Sequence, residues 1–183
     1  MKTQKNPARI IGVLGGLALS LASGLASAMD YTYLDGGFVS IDRGNRNDSG
    51  IRLGGSITVA PTVALIGEYA DADSYSQFSG GALFHTPINR DLDLVLGGTF
   101  EQVDLGPVDD TGFGLRGGVR WQPSGNRFEL NPEVRVLDVF NRTDTSFHVG
   151  ANFAVAPHFD VGGAVQAGDD DRLEFGLRYR FGP

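Results

Sequence analysis

The chain has 183 residues, the length of one domain, with 22 acidic and 15 basic residues and a formal net charge of −7. This acidic balance disfavours nucleic-acid binding, because nucleic acid attracts a basic surface. The sequence contains no cysteine, which excludes a disulfide framework and a cysteine-based metal site. The fold must therefore depend on its core or on a sheet closed on itself.

Residues 1–28 have the layout of a secretory signal peptide. Lys2, Lys5 and Arg9 precede the apolar run IIGVLGGLALSLASGLA, and the small residues 26–28 form a cleavage triplet. The alternative is an uncleaved membrane anchor, but the Gly/Ala/Ser-rich run and the triplet favour cleavage. We expect export through the Sec pathway and a folded domain over 29–183, which retains 12 basic and 22 acidic residues.

The rest of the chain alternates apolar and polar residues with a period of two, which indicates β-strands. In chain order the ten segments are YTYLDGGFVSI (31–41), GIRLGGSITVA (50–60), TVALIGEYA (62–70), QFSGGALFH (77–85), DLDLVLGGTFE (91–101), GFGLRGGVRW (112–121), RFELNPEVRV (127–136), SFHVGANFAV (146–155), FDVGGAVQA (159–167) and LEFGLRYRFGP (173–183). After residue 28 no apolar stretch reaches the roughly 18 residues of a transmembrane helix, but strands can span a membrane without one.

The connections between these segments alternate in character. Tight turns are predicted at 60–62, 86–90, 123–126 and 156–158, and longer or more acidic loops at 42–49, 71–76, 104–111, 141–145 and 168–171. Odd and even connections therefore fall at opposite ends of the strands. The sequence predicts an all-β fold, a transmembrane up-and-down antiparallel β-barrel of ten strands, with eight as the alternative and the tight turns on the periplasmic side.

The polar face of the strands carries small residues, arginines and carboxylates, and no lysine follows residue 28. The exposed face of a soluble β-sandwich would carry lysine freely, whereas a narrow polar interior favours small residues and arginine–carboxylate pairs. We therefore predict a lumen ion-pair network formed by Arg52, Glu68, Asp93, Glu101, Arg116, Arg120, Glu129, Glu133, Arg135, Asp160, Arg178 and Arg180. Asp35 and Glu174 lie on the same face. Solvated cross-strand pairs are the alternative interpretation.

The charged residues of two hairpins, the one around 123–126 and the last one, predict the registers in which their strands pair. One register of the hairpin around 123–126 pairs Arg120 with Glu129, Arg116 with Glu133 and Trp121 with Phe128. In the last hairpin, Asp160 is predicted to face Arg180. A slip by one residue would move every one of these side chains to the other face, so we expect these registers to be strongly specified.

Aromatic residues cluster near both ends of the predicted strands, as the two interfaces of a membrane barrel require. The predicted girdle consists of Trp121, Phe128 and Phe159 near the tight turns and of Phe100, Phe113 and Phe147 near the loops. Pro132 lies in mid-strand on the apolar face, where it cannot donate a ladder hydrogen bond. A β-bulge is expected there.

The ending resembles the terminal signature of bacterial outer-membrane barrels, a glycine followed by spaced aromatics and a last Phe. Gly176, Tyr179 and Phe181 match it, and Gly182–Pro183 extend beyond it. Residues 30–181 resemble the small OmpA/OmpX-like barrels, and YTYLDGGFV is similar to the start of a family of small outer-membrane proteins described as activators of plant immunity. The resemblance implies the outer membrane of a Gram-negative cell envelope, insertion by the barrel assembly machinery, and no particular activity.

The polar face contains one candidate catalytic group. Ser146, His148 and Asn152 share the polar face, and Asp138 or Glu133 could supply a carboxylate for acyl hydrolysis. The group resembles lipid A deacylase barrels faintly, since their His precedes the Ser. A hydrogen-bonded interior His is the favoured interpretation. His85 and His158 are too scattered for a metal site, no nucleotide-binding motif is present, and no cofactor is expected.

The acidic loops offer a second possibility. Residues 169–171, 109–110, 71 and 73 concentrate carboxylates that could weakly bind divalent cations shared with lipopolysaccharide, although solvation of loop tips is favoured. We expect a non-enzymatic barrel with a salt-bridged lumen and a structural or surface-interaction role, in contact with outer-membrane lipids and lipopolysaccharide. A narrow porin-like channel for small cationic or apolar solutes is the first alternative, supported by interior glycines, and a lipid A-modifying hydrolase is the second.

Overall fold

A computed structural model describes residues 29–44, 46–124 and 127–181. The predicted signal peptide, residues 1–28, lies outside the described residues. Within the described part, no helix has the length and hydropathy of a membrane span.

Ten antiparallel strands follow one another along the chain and close into a barrel in which β1 pairs with β10. The strands are β1 Tyr33–Asp42, β2 Asn47–Ala60, β3 Val63–Ala72, β4 Tyr75–Asn89, β5 Leu92–Asp104, β6 Asp109–Trp121, β7 Phe128–Val139, β8 Arg142–Ala156, β9 Phe159–Gly168 and β10 Asp171–Arg180. The prediction of a ten-stranded up-and-down barrel is confirmed, and the eight-strand alternative is wrong.

The outer surface of the barrel is apolar because each strand presents its large hydrophobic side chains outward. Phe38, Phe113 and Phe175 are 74%, 72% and 63% exposed. On β6 the outward positions from Phe113 to Trp121 span nine residues, close to the 9–11 tilted residues that cross a bilayer. Such a continuous apolar surface on a closed barrel faces lipid, and the barrel is therefore a transmembrane one.

The connections are shorter than the sequence predicted at one end. Residues 43–46, 73–74, 105–108, 140–141 and 169–170 join strands at the end that we call the loop end. Phe140 and Asn141 both have positive φ, of 56° and 54°, as in a type I′ turn. The other end, which we call the terminal end, carries both ends of the described chain and the connection 122–127. The loop-end connections are therefore not the longer set, although the acidic residues Asp73, Asp169 and Asp170 lie in them as predicted.

The predicted registers of two hairpins are wrong by two residues. In the structure Arg116 lies opposite Arg135, and Trp121 lies opposite Leu130. In the last hairpin Arg178, not Arg180, lies opposite Asp160. Because the side-chain period of a strand is two, this shift leaves every side chain on its predicted face. The predicted ion pairs Arg120–Glu129 and Asp160–Arg180 still form, as diagonal contacts, whereas Arg116 loses Glu133 as its partner.

Pro132 does not produce a bulge. The β6–β7 partners end at Gly118–Glu133 and resume in the same register at Trp121–Leu130. Pro132 also pairs with Val149 on the other side without a register shift. The missing N–H therefore interrupts one ladder locally and leaves the strand in line.

Glycine is required where β1 and β10 close the barrel. A Cβ added to Gly37 would lie 2.1 Å from the carbonyl oxygen of Phe175, and one added to Gly176 would lie 2.3 Å from that of Gly36. Gly37 and Gly176 are direct partners. The two backbones therefore approach more closely here than a residue with a side chain would allow.

Candidate functional site: the lumen

Arg52 holds a three-carboxylate cluster inside the barrel. Alternation in β2 points this side chain inward, opposite the apolar residues of the lipid face. Its guanidinium lies 2.6 Å from Asp35, 2.8 Å from Glu68 and 3.3 Å from Glu174. The planar fork of arginine can satisfy several carboxylates at once, so one side chain connects β1, β2, β3 and β10.

Glu129 on β7 binds two arginines that come from opposite sides. Arg120 on β6 donates from Nη2 to Oε2, and Arg178 on β10 donates from Nη1 to Oε1 at 2.8 Å. Asn131 and Asn152 donate to Oε1 at 3.0 Å and 3.3 Å. All of these partners lie in the lumen, and Glu129 is 6% exposed.

Arg116 and Glu133 are not brought together as an ion pair. Glu133 instead contacts Arg135 on its own strand, and it lies 3.6 Å from Nδ1 of His148. Among the described residues, no carboxylate lies within 4.0 Å of the Arg116 guanidinium. Arg116 lies opposite another arginine, which is the direct result of the two-residue difference in register.

The remaining predicted lumen charges lie at the two ends of the barrel. Asp160 contacts Arg180 at 3.1 Å near the terminal end. Asp93 accepts a hydrogen bond from the Tyr31 hydroxyl at 2.9 Å. Glu101, toward the loop end, accepts from Gln77 at 2.9 Å, from Thr99 at 2.5 Å and from Ser79.

Arg172 is a lumen residue that the sequence analysis left out. It is 8% exposed and donates to the hydroxyl of Tyr75 at 2.6 Å and to Oε1 of Gln77 at 2.7 Å. The alternation of β10 already places Arg172 on the same face as Glu174, Arg178 and Arg180. The signal was present, but Arg172 lies between the predicted acidic loop, 168–171, and the predicted last segment, 173–183, and was assigned to neither.

An apolar cluster fills the loop end of the lumen. It consists of Val39, Ile41, Ala72, Tyr75, Val103 and Val139, with Leu105 and Leu137 packed against it. Ile41 has no exposed surface. These side chains lie on the inward face, which the sequence analysis expected to be polar, so this closure was not predicted.

The terminal end of the lumen is filled by the residues that precede β1. Met29 and Tyr31 are 7% and 3% exposed, and they pack with Ala64, Leu83 and Val95. The Tyr31 ring stacks on His85, with centroids 3.8 Å apart and planes at 14°. Both mouths of the barrel are therefore occupied by side chains.

Between the two closures lies a cavity of about 170 Å³. Its lining includes the Arg52 and Glu129 clusters, Arg116, Arg135 and His148, together with Gly118, Gly150 and Gly162. A volume of this size corresponds to several water molecules, each of which takes about 30 Å³ in the liquid. The lining can solvate a small polar species.

The structure brings only part of the candidate catalytic group together, the pair of His148 and Glu133. His148 is buried in the lumen, where it faces Glu133. Asp138 lies opposite Phe113, an outward residue that is 72% exposed, so its carboxylate is on the other side of the wall from His148. Ser146 and His148 face a closed interior that acyl chains of lipid do not reach.

The loop carboxylates bind their own loops. Asp73 accepts from the backbone N–H of Ser49 at 3.1 Å, and Asp169 accepts from Arg142 at 2.7 Å. Among the described residues, no group of three or more His, Asp or Glu side chains is placed to hold a metal ion. Weak divalent-cation binding at the loops stays a prediction.

Two carboxyls beyond the apolar band, at the loop end, have shifted pKa values. The side-chain hydrogen bond from Arg43 lowers the pKa of Asp48, with a smaller contribution from Ser74. Burial raises the pKa of Asp170, in the turn between β9 and β10. Both groups lie at the loop end, so a change of pH acts on this end of the barrel.

The predicted girdle residues lie on the outer face. Trp121 and Phe159 are 40% and 47% exposed at the terminal end, where Phe128 pairs with Phe153. At the loop end Phe100 packs edge-on against Phe113 with centroids 6.3 Å apart, and Phe147 is 51% exposed.

The residues of the predicted assembly signal lie on both faces of β10. Tyr179 packs against Phe159 at 5.0 Å and Phe181 at 4.9 Å on the outer face. Gly176 lies on the inward face, where β10 meets β1. Gly182–Pro183 lie outside the described residues.

No protein-family model and no curated protein matches the chain. Solved structures that are similar to it include the KdgM porin in complex with disordered oligogalacturonate, at 10% identity over 84% of this chain and 100% of that one, with a TM-score of 0.48. The NanC porin is 9% identical over 82% of this chain and 100% of that one, with a TM-score of 0.48. A de novo designed transmembrane β-barrel is 13% identical over 84% of this chain and 98% of that one, with a TM-score of 0.44.

Proposed function

We propose that the chain is a non-enzymatic outer-membrane barrel with a closed, salt-bridged lumen and a structural or surface-interaction role. The observation that supports it is the occupation of both mouths, by Ile41 and its apolar neighbours at the loop end and by Met29 and Tyr31 at the terminal end. A barrel whose wall is complete and whose two mouths are occupied by side chains acts through its surface and its loops.

The outer membrane is the proposed location. A barrel with an even number of antiparallel strands and both chain ends on one side is the plan of bacterial outer-membrane proteins. The proposal includes export directed by residues 1–28, which are then cleaved, insertion by the barrel assembly machinery through Gly176, Tyr179 and Phe181, and contacts of the acidic loops with lipopolysaccharide. It places the loop end outside the cell.

Single-channel recording of the purified, refolded protein in planar bilayers tests the closed lumen. We expect no reproducible discrete openings above the membrane leak. Discrete openings of uniform size would overturn the closed-lumen proposal and favour a narrow channel. That second candidate is supported by one observation, the polar cavity of about 170 Å³ that already occupies the middle of the barrel.

The absence of enzymatic activity is tested separately. Incubation of the refolded protein with lipopolysaccharide, followed by mass spectrometry of lipid A, is expected to show no loss of an acyl chain. Loss of an acyl chain that the substitution His148→Ala abolishes would show that the proposal is wrong.

A further inference from the structure

The residues just before β1 are buried without belonging to the sheet. Residues 29–31 precede Tyr33, the first strand residue, yet Met29 and Tyr31 are as buried as the barrel core. Thr32 is fixed at the rim, because its carbonyl oxygen accepts from the N–H of Phe181 at 3.0 Å. The three residues that come before it enter the lumen.

The side chain of Tyr31 makes specific contacts through its hydroxyl and through its ring. Its hydroxyl donates to Asp93, its ring stacks on His85, and the Arg120 guanidinium lies 4.5 Å from the ring centroid on a cation–π contact. We call Leu83, His85, Asp93, Val95 and Arg120 the socket. It combines an apolar wall, a planar ring, a cation over the ring face and a carboxylate for the hydroxyl.

The backbone of the same segment is also bound. Nη1 of Arg120 donates to the carbonyl oxygen of Asp30 at 2.7 Å. Arg120 therefore contacts both the ring of Tyr31 and the peptide before it, while its other nitrogen binds Glu129. The position of the segment is coupled to the central ion pairs of the lumen.

The two closures of the lumen differ in how they are attached. The loop-end cluster is built from strand residues such as Ile41 and Tyr75, which cannot leave the lumen unless ladder hydrogen bonds break. Residues 29–31 form no strand and can swing about Thr32 with the barrel wall intact. Segments with few backbone ladder bonds open at the lowest free-energy cost.

We propose that residues 29–31 are a displaceable plug of the terminal mouth, and that the socket is a binding site for a phenol ring. When the plug leaves, the socket presents Asp93 to a hydroxyl and His85 to an aromatic face, so a free phenolic compound can take the place of Tyr31. This goes beyond the closed-lumen role, since it makes one closure reversible, and it does not require that the lumen conduct ions.

A single thiol in the cavity measures the opening. The chain has no cysteine, so Ala164→Cys, at a cavity-lining position, gives one reporter. The rate of its reaction with iodoacetamide is measured in the refolded protein in detergent micelles. Adding Tyr31→Ala is expected to raise the rate about tenfold or more, because the plug loses its main contacts. Tyr31→Phe, which keeps the ring and removes only the hydroxyl, is expected to give an intermediate rate.

Tyr69→Ala is the matched control, because Tyr69 is an outward tyrosine that is 41% exposed. It should leave the rate unchanged. p-Cresol should slow labelling of the Tyr31→Ala protein, whereas toluene, which leaves Asp93 without a hydroxyl, should protect much less. Unchanged rates in both Tyr31 variants, or equal acceleration by Tyr69→Ala, would refute the plug. Equal protection by toluene would refute recognition of the phenol.

Discussion

Arg178 on β10 donates to Glu129 on β7 at 2.8 Å, although two other strands separate them around the wall. The contact is therefore an ion pair that spans the lumen and not a pair between neighbouring strands. Glu129 also binds Arg120 on β6, so one carboxylate connects β6, β7 and β10. Predictions about stability start from this arrangement.

Replacing Glu129 with Gln should destabilise the barrel strongly. The substitution leaves Arg120 and Arg178 without their shared carboxylate, and breaking a buried pair by removing one partner costs about 3–5 kcal/mol. The free energy of unfolding in urea, measured in lipid vesicles, checks it. Asp104→Asn, at an exposed loop-end position, is the control and should cost less than about 1 kcal/mol. Similar losses in the two variants would contradict the lumen assignment of Glu129.

Replacement by alanine should lower the free energy of unfolding more at Arg52 than at Arg116. Arg52→Ala leaves Asp35, Glu68 and Glu174 without a cation, so we expect a loss of several kcal/mol in unfolding free energy. Arg116→Ala removes no ion pair shorter than 4.0 Å among the described residues, so its cost should be smaller. Heat-modifiable gel mobility and urea titration both rank the variants. If Arg116→Ala proved the more damaging, the described ion pairs would be wrong.

Gly37→Ala should weaken barrel closure. The added methyl would clash with the Phe175 carbonyl, and overpacking of this kind costs about 1–3 kcal/mol. Gly67→Ala is the matched control, because a Cβ there has only a 3.9 Å contact and faces outward. Unfolding midpoints compare the two. Equal tolerance would show that β1 and β10 do not approach as closely as described.

Acid should loosen the loop end through Asp48. The Arg43 hydrogen bond lowers the folded-state pKa of this carboxyl below its unfolded value, so its stabilising contribution is present above the unfolded pKa near 4. That contribution is lost as the pH falls through the folded pKa. Unfolding midpoints of the parent and of Asp48→Asn, measured between pH 2 and pH 7, should converge at the acid end. A constant difference across this range would contradict the prediction.

The sequence predicted the wall of the barrel well and the contacts inside it less well. Strict alternation settles which side of the wall Arg52, Glu129 or Phe113 faces, because that property is local to each strand. Partner choice depends on register, and a shift of two residues gives the same faces with different neighbours. That is why Arg116 was predicted to face Glu133 and instead lies opposite Arg135.

The two closures were missed for a different reason. Val39, Ile41 and Val103 are apolar residues on the inward face, whereas Ser40 and Gln102 take outward positions beside them. The polarity of the two faces therefore reverses at the loop end, and a single assignment of one apolar and one polar face per strand does not describe it. Tyr31 belongs to the first predicted segment, 31–41, but the strand begins only at Tyr33, and alternation does not show that the preceding residues fill the mouth of the barrel. Only the three-dimensional arrangement brings it against His85 and Asp93.

The interruption of the β6–β7 ladder beside Pro132 is a weak point of the barrel wall. Among the described strand pairs, β6–β7 is the one whose ladder is interrupted in the middle, between Gly118 and Trp121. Within the hydrocarbon of the membrane, water cannot replace lost backbone hydrogen bonds. Separating β6 from β7 should therefore cost less free energy than separating any other pair of the described strands. Under heat or membrane tension, strands β6 and β7 should be the first to separate. The backbone amides that flank the gap should be the earliest in the barrel wall to exchange with deuterium.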